Sequence, residues 1–207
     1  MRWFALATFL FLLAAAPVAR AQDMACTGTL QGVTVAGDLV VPADASCLLS
    51  AVTVTGNVWV EQGAALDVDA ATIGGSLLAY QCSYVHLHGY SMIYVAGNVL
   101  IQYCTGSSTD NNPLAFGSFF IRIGGNLTCD QNLMPCSPRY SAISGNVQVT
   151  NNAGGPSQVY GNMIGGNLVC SGNAAVSATQ ALPPNLPLQP NIVVGSAQGQ
   201  CLGFTPQ

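Results

Sequence analysis

Two short motifs place potential metal ligands two residues apart. Asp67 and Asp69 bracket one aliphatic residue, and so do His86 and His88. In a β-strand, residues i and i+2 lie on the same face, so each pair points the same way. Carboxylates and imidazoles bind divalent transition metals, and a carboxylate can also orient a histidine for proton transfer. These four residues predict a divalent-metal site. The alternative is an exposed ladder of opposite partial charges that holds no ion.

Five of the seven tyrosines lie in the same part of the chain. They are Tyr80, Tyr84, Tyr90, Tyr94 and Tyr103. Aromatic faces beside hydrogen-bonding groups bind sugar rings, so this cluster predicts a ligand-binding patch for glycans. The alternative is that these tyrosines simply suit β-strands, where a polar tip meets solvent.

A motif that occurs seven times predicts the elements that position these side chains. Its glycines are Gly37, Gly56, Gly75, Gly97, Gly125, Gly145 and Gly166. Two positions before each glycine stands Val or Ile, one position after it Asn, Asp or Ser, and two positions after it Leu or Val. Most of these glycines are 19 to 22 residues apart. Stacked coils superimpose equivalent side chains into ladders, so the fold class is predicted as all-β. The architecture is a single right-handed parallel β-helix of about seven to eight coils.

The repeat also aligns the two chemical motifs. The two aspartates lie eleven and thirteen residues after Gly56, and the two histidines lie at the same distances after Gly75. The aspartate pair should therefore lie beneath the histidine pair on an outer wall. Each aspartate backbone would then be about 5 Å from a histidine backbone.

The eight cysteines predict four disulfides that staple the coils and their caps. Cys82 and Cys104 each lie seven residues after a repeat glycine, so they occupy one site on successive coils. Cys129 and Cys170 share a site but lie two coils apart, about 10 Å, which is too far for a bridge. The predicted pairs are Cys26–Cys47, Cys82–Cys104, Cys129–Cys136 and Cys170–Cys201. The last two pairs are the preferred assignment once Cys129–Cys170 is excluded, and the pairing of these four cysteines stays open at the level of the sequence.

The sequence predicts a signal peptide at residues 1–21 and a β-helix domain at residues 22–207. The first segment has an apolar run followed by Ala19 and Ala21, small residues of the kind that signal peptidase requires. Residues 105–118 and 130–140 interrupt the repeat, which predicts two surface loops. Residues 174–207 begin with a proline-rich stretch and predict a C-terminal strap and cap.

Charge excludes several classes of partner. Residues 22–207 contain eight acidic residues and only Arg122 and Arg139 as basic ones, a net charge of −6. A surface so poor in cations has no electrostatic attraction for nucleic acid or anionic lipid. No second long apolar run follows the signal, so no membrane insertion is expected after cleavage. The predicted location is secreted, periplasmic or on the cell surface.

The repeated Gly-Asn-Leu and Gly-Asn-Val corners and the cysteines near each end resemble those of secreted bacterial parallel β-helix proteins. The outline is similar to pectin-lyase-like solenoids and, more distantly, to bactofilin-like polymer-forming repeats. The resemblance covers about Cys26 to Cys201 and implies an architecture rather than an activity.

Three functions remain open at this stage. The first is an exported structural or surface-interaction protein without catalysis, whose partner is a surface glycan or a protein. The second is a carbohydrate-active enzyme or metal-dependent hydrolase that uses the two aspartates and two histidines. The third is a polymer that self-associates end to end. No cofactor is predicted apart from the divalent metal.

Overall fold

Each repeat forms one coil of a β-solenoid in the computed structural model. The structure describes residues 23–106, 114–178 and 189–205, without the side chains of residues 89–91. These ranges contain parallel, stacked strands in about seven coils. The predicted all-β, disulfide-stapled solenoid is therefore confirmed. Among the described residues there is no helix that could cross a membrane. The predicted signal peptide lies outside them.

Twenty-one short strands make up the described chain. In chain order they are β1 (Met24–Ala25), β2 (Thr29–Gln31), β3 (Thr34–Val35), β4 (Leu39–Val41), β5 (Ser46–Val54), β6 (Val58–Val60), β7 (Ala65–Ile73), β8 (Leu77–Tyr80), β9 (Tyr84–Val95), β10 (Val99–Gln102), β11 (Phe116–Ile123), β12 (Leu127–Asp130), β13 (Cys136–Arg139), β14 (Ala142–Ile143), β15 (Val147–Thr150), β16 (Pro156–Gln158), β17 (Met163–Ile164), β18 (Leu168–Ser171), β19 (Ala175–Ser177), β20 (Ile192–Val193) and β21 (Ala197–Gly199).

Two long sheets form the main walls of the solenoid. The nine-stranded sheet has the order β1-β4-β6-β8-β10-β12-β15-β18-β21. The ten-stranded sheet has the order β2-β5-β7-β9-β11-β14-β17-β20, with β13 paired to β11 and β3 paired to β5. A third, two-stranded sheet pairs β16 with β19. Of the predicted C-terminal strap, the described part adds β20 and β21 as further rungs of the long sheets.

The core consists of aliphatic columns that run along the stack. Two positions after the repeat glycines, the side chains are fully buried; they are Leu39, Val58, Leu77, Val99, Leu127, Val147 and Leu168. The matching column before the glycines is buried as well and comprises Val35, Val54, Ile73, Val95, Ile123, Ile143 and Ile164. A single coil cannot bury these faces alone, so the coils stabilise one another.

The polar side chains that follow the repeat glycines form a hydrogen-bonded ladder along the corners of the coils, as the repeat predicts. The backbone N–H of Asn57 donates to Oδ1 of Asp38 at 2.7 Å, and the N–H of Asn146 donates to Oδ1 of Asn126 at 2.8 Å. The same bond recurs from corner to corner as far as Ser196, whose N–H donates to Asn167. At each corner, a side-chain oxygen of one coil therefore accepts a hydrogen bond from a backbone N–H of the next coil.

Two further asparagine ladders lie inside the solenoid and were not predicted. Asn132, Asn152 and Asn173 are buried and hydrogen-bonded in series, and Gln200 ends the series. Asn162 and Asn191 form a second, shorter buried series. Buried amides are tolerated because each one meets backbone and side-chain partners.

All four predicted disulfides are present. They are Cys26–Cys47, Cys82–Cys104, Cys129–Cys136 and Cys170–Cys201. The two predicted surface loops are partly wrong. Ala115 and Phe116 are buried, and residues 136–138 are buried within β13. Residues 136–139 pair in parallel with residues 116–119 of β11, so both segments contribute strands to the wall.

Candidate functional site

Three of the four predicted metal ligands lie together on the outside of the ten-stranded sheet. Strands β7 and β9 pair so that Asp67 lies opposite His86. Oδ1 of Asp67 is 3.7 Å from Nδ1 of His86 and 3.5 Å from Nε2 of His88. One ligand atom from each residue lies within 4.8 Å of the others. We call Asp67, His86 and His88 the histidine–aspartate cluster.

Asp69 does not belong to this cluster. Two residues separate Val68 from Ala71 in β7, whereas five residues separate their partners Leu87 and Ile93 in β9. The resulting bulge ends the regular register directly after Val68. The predicted pairing of Asp69 with His88 therefore does not form, and His88 approaches Asp67 instead. Asp69 is exposed on the same strand.

Tyr84 holds the carboxylate of Asp67 in place. Its hydroxyl donates a hydrogen bond to Oδ2 of Asp67 at 2.9 Å, and its ring lies 4.4 Å from the His86 ring, centroid to centroid. Burial raises the pKa of Asp67. The hydrogen bonds from His88 and Tyr84 and the charges of both imidazoles outweigh burial and hold this pKa below its ordinary value of 3.8. The carboxylate is therefore ionised at neutral pH.

The cluster combines one buried and one exposed imidazole. The side chain of His86 is 8% exposed, and that of His88 is 55% exposed. A small cleft beside both histidines is lined by Leu114, Phe119 and Arg139 as well. Gly117 lies opposite His86 in β11, and its lack of a side chain leaves room beside that imidazole. The volume of this cleft is about 30 Å³, which is room for about one water molecule.

A larger groove lies on the nine-stranded sheet. Its volume is about 730 Å³. It is lined by Asp23, Val40, Trp59, Val60, Glu61, Gln62, Leu78, Ala79, Tyr80, Gln81 and Leu100. We call this surface the Trp59 groove. Its floor is apolar because Val40, Trp59, Leu78 and Leu100 form one outward column on four successive strands.

The indole of Trp59 has a fixed position in this groove. Its Nε1 donates to Oδ2 of Asp38 at 3.1 Å, and 43% of the residue is exposed. The backbone hydrogen bond from Asn57 and the one from the indole hold the pKa of Asp38 below 3.8. The Asp38 carboxylate therefore stays ionised at neutral pH and keeps the indole oriented.

The five predicted ligand-binding tyrosines lie on two different sheets. Tyr80 is at the end of β8 and contacts Tyr103, with ring centroids 5.2 Å apart. Tyr84 and Tyr94 belong to β9 in the ten-stranded sheet. The side chain of Tyr90 lies outside the described residues. Tyr80 therefore lines the Trp59 groove, with Tyr103 in contact with it. Tyr84 contacts the histidine–aspartate cluster.

Trp59 was missed by the sequence analysis, although a signal for it exists. It lies three positions after its repeat glycine, and the same position holds Val40, Leu78 and Leu100 in neighbouring repeats. The flanking column two positions after the glycine faces the core, so a position one further along faces outward. Four large apolar residues at an outward position indicate an exposed apolar surface.

Comparisons with known protein families, with curated proteins and with solved structures find no match to this chain. The assignment to a β-solenoid therefore rests on the repeat and on the parallel register of the strands. The likeness to pectin-lyase-like and bactofilin-like proteins stays a prediction.

Proposed function

We propose that this protein is an exported, non-enzymatic recognition scaffold that binds a neutral polysaccharide along the Trp59 groove. The observation that carries the proposal is the column of Val40, Trp59, Leu78 and Leu100, which exposes an apolar floor beside Tyr80 on a rigid sheet. The four disulfides support export because they are typical of oxidising compartments.

The chemistry of the groove suits a sugar better than a purely apolar ligand. A pyranose ring has an apolar face, which stacks on aromatic rings such as those of Trp59 and Tyr80. Its hydroxyl groups need donors and acceptors, and Glu61, Gln62 and Gln81 supply these at the edges of the groove. An apolar floor with a few convergent polar groups is the usual composition of a ligand site.

Charge favours a neutral polysaccharide over an acidic one. Residues 22–207 carry a net charge of −6, and Asp23 and Glu61 both line the groove. A polyanion would meet repulsion there, and no arginine lines the groove to offset it. The strands of the floor are fixed by parallel pairing on both sides, so little conformational entropy is lost on binding.

Trp59 provides a direct optical test. It is the single tryptophan of residues 22–207, since Trp3 lies in the predicted signal peptide. The oxidised exported chain is screened on an array of neutral cello-, xylo-, manno- and chito-oligosaccharides. The best sugar is then titrated while Trp59 emission is recorded. We expect the emission to shift and saturate because a stacked sugar displaces water from the indole.

Two tyrosines of similar exposure give a matched pair of variants for this titration. Tyr80 is 55% exposed in the groove, and Tyr94 is 41% exposed on the other sheet. Tyr80→Ala should weaken binding about tenfold, equivalent to about 1.4 kcal/mol, whereas Tyr94→Ala should leave it unchanged. Equal effects of the two variants, or an array signal confined to acidic glycans, would contradict the proposal. An array without any signal would do so as well.

A further inference from the structure

We propose that the histidine–aspartate cluster is a binding site for a divalent transition-metal ion, with Zn²⁺ as the expected ion. The ligands are Oδ1 of Asp67, Nδ1 of His86 and Nε2 of His88. The site lies on the ten-stranded sheet and the Trp59 groove on the nine-stranded one, so the two proposals stand on different residues.

The spacing of the ligand atoms fits one small ion. Zinc is bound at about 2.0–2.1 Å by nitrogen and oxygen, which places tetrahedral ligand atoms about 3.3 Å apart. Oδ1 of Asp67 is 3.7 Å from one histidine nitrogen and 3.5 Å from the other. All three ligand atoms lie within 4.8 Å of one another, so side-chain movements of up to about 1 Å bring them onto one ion.

The surroundings hold the ligands in this arrangement before any ion arrives. Asp67 and His86 face each other across paired strands, and the Tyr84 hydroxyl occupies the second oxygen of the carboxylate. Hydrogen bonds of this kind orient a metal-binding carboxylate and leave its other oxygen for the metal. The more exposed imidazole of His88 completes the set, with its Nε2 3.5 Å from Oδ1 of Asp67.

The donor set selects the class of ion. Two imidazoles and one carboxylate suit Zn²⁺ and other late first-row metals, whereas Ca²⁺ and Mg²⁺ require mostly oxygen ligands. Three protein ligands leave at least one coordination position for water or a small ligand. His88, whose side chain is 55% exposed, leaves the site in contact with solvent, from which that water can come.

The test is a calorimetric titration of the metal-free, oxidised exported chain with ZnCl₂, and separately with CaCl₂ and MgCl₂. We expect saturable 1:1 heat with Zn²⁺ only. Loss of an outer hydrogen bond costs about 10–100-fold in metal affinity, so Tyr84→Phe should weaken Zn²⁺ binding by roughly tenfold. His88→Ala removes a ligand and Asp67→Asn removes the negative charge of another, so each should weaken Zn²⁺ binding more.

Asp69→Asn is the matched control because Asp69 is an exposed carboxylate on the same strand, outside the cluster. It should bind Zn²⁺ like the unmodified chain. Circular dichroism and melting without metal confirm that each variant is folded, and Zn²⁺ should raise the melting temperature only of those that bind it. Absence of Zn²⁺ heat in the unmodified chain, or equal losses in Asp69→Asn and Asp67→Asn, would overturn the site. Neither result affects the sugar titration.

Discussion

Asparagine residues serve the same bonding role in two very different environments of this solenoid. Asn126 is exposed at a corner, where its Oδ1 accepts from the N–H and the amide of Asn146. Asn152 is 1% exposed, and its side chain accepts from Asn132 and donates to Cys129 O and to Asn173. Water can replace the bonds of the first residue but not those of the second, so their contributions to stability should differ.

Replacing each asparagine by alanine tests this difference. Asn152→Ala leaves several buried donors and acceptors without partners and should lower the free energy of unfolding by about 3 kcal/mol. Asn126→Ala should lower it by about 1 kcal/mol or less, because water can form hydrogen bonds with the neighbouring groups that lose their partner. Urea unfolding followed by circular dichroism measures both values. Equal losses would mean that burial does not set the strength of these ladders.

Adjacent coils are in close backbone contact at the glycine corners. A Cβ built on Gly125 would lie 2.8 Å from the carbonyl oxygen of Gly97 in the coil below. Real Cβ atoms do not come so close to a backbone oxygen, and the N–H of Gly125 already donates to that same oxygen at 2.9 Å. The repeated glycine is therefore required by the closeness of the coils at this corner, and a larger residue would force them apart.

Gly125→Ala should therefore lower the free energy of unfolding by about 2 kcal/mol, the usual cost of overpacking. Gly28→Ala is the matched control, since a Cβ there meets nothing within 4 Å; its effect should stay within about 0.5 kcal/mol. The midpoints of urea unfolding of the two variants measure this difference in stability. A Gly125→Ala variant as stable as the Gly28→Ala variant would show that the coils can separate at the corner without loss.

At the scale of the whole molecule, a stack of parallel strands ends in edges that could pair with a second copy. The C-terminal edge is covered by a short turn tied down by Cys170–Cys201. The backbone N–H of Gln200 donates to Cys170 O at 2.7 Å, and Asn191 N–H donates to Phe204 O. These contacts cap the last rungs, and an uncapped edge is prone to intermolecular pairing.

Removing this cap should therefore promote self-association. We expect the double variant Cys170→Ala and Cys201→Ala to show a mass that rises with concentration in multi-angle light scattering. The double variant Cys129→Ala and Cys136→Ala is the control, since it removes a disulfide within the stack. A concentration-independent mass for both variants would show that the end turn stays in place without its disulfide. Concentration-dependent association of the unmodified chain would instead favour the polymer hypothesis.

The amino-acid sequence alone predicted the coils, the corner ladder and the Cys82–Cys104 disulfide. It also placed Asp67 beside His86. These predictions succeed because counting from the repeat glycine preserves the register wherever no residues are inserted between corner and strand. Cys82 and Cys104 lie seven residues after their glycines, and their Cα atoms are 4.4 Å apart.

Only the tertiary structure decided which side chains form the two candidate sites. The bulge after Val68 removed Asp69 from the cluster and brought His88 to Asp67. The turn after Tyr80 places Tyr84 in the ten-stranded sheet, whereas Tyr80 belongs to the nine-stranded one. The alternation of side chains between the two faces of a strand can be predicted from the sequence. Each bulge or turn, however, changes which face the following side chains occupy. The positions of these bulges and turns depend on how the coils pack, so residue spacing in the sequence does not predict them.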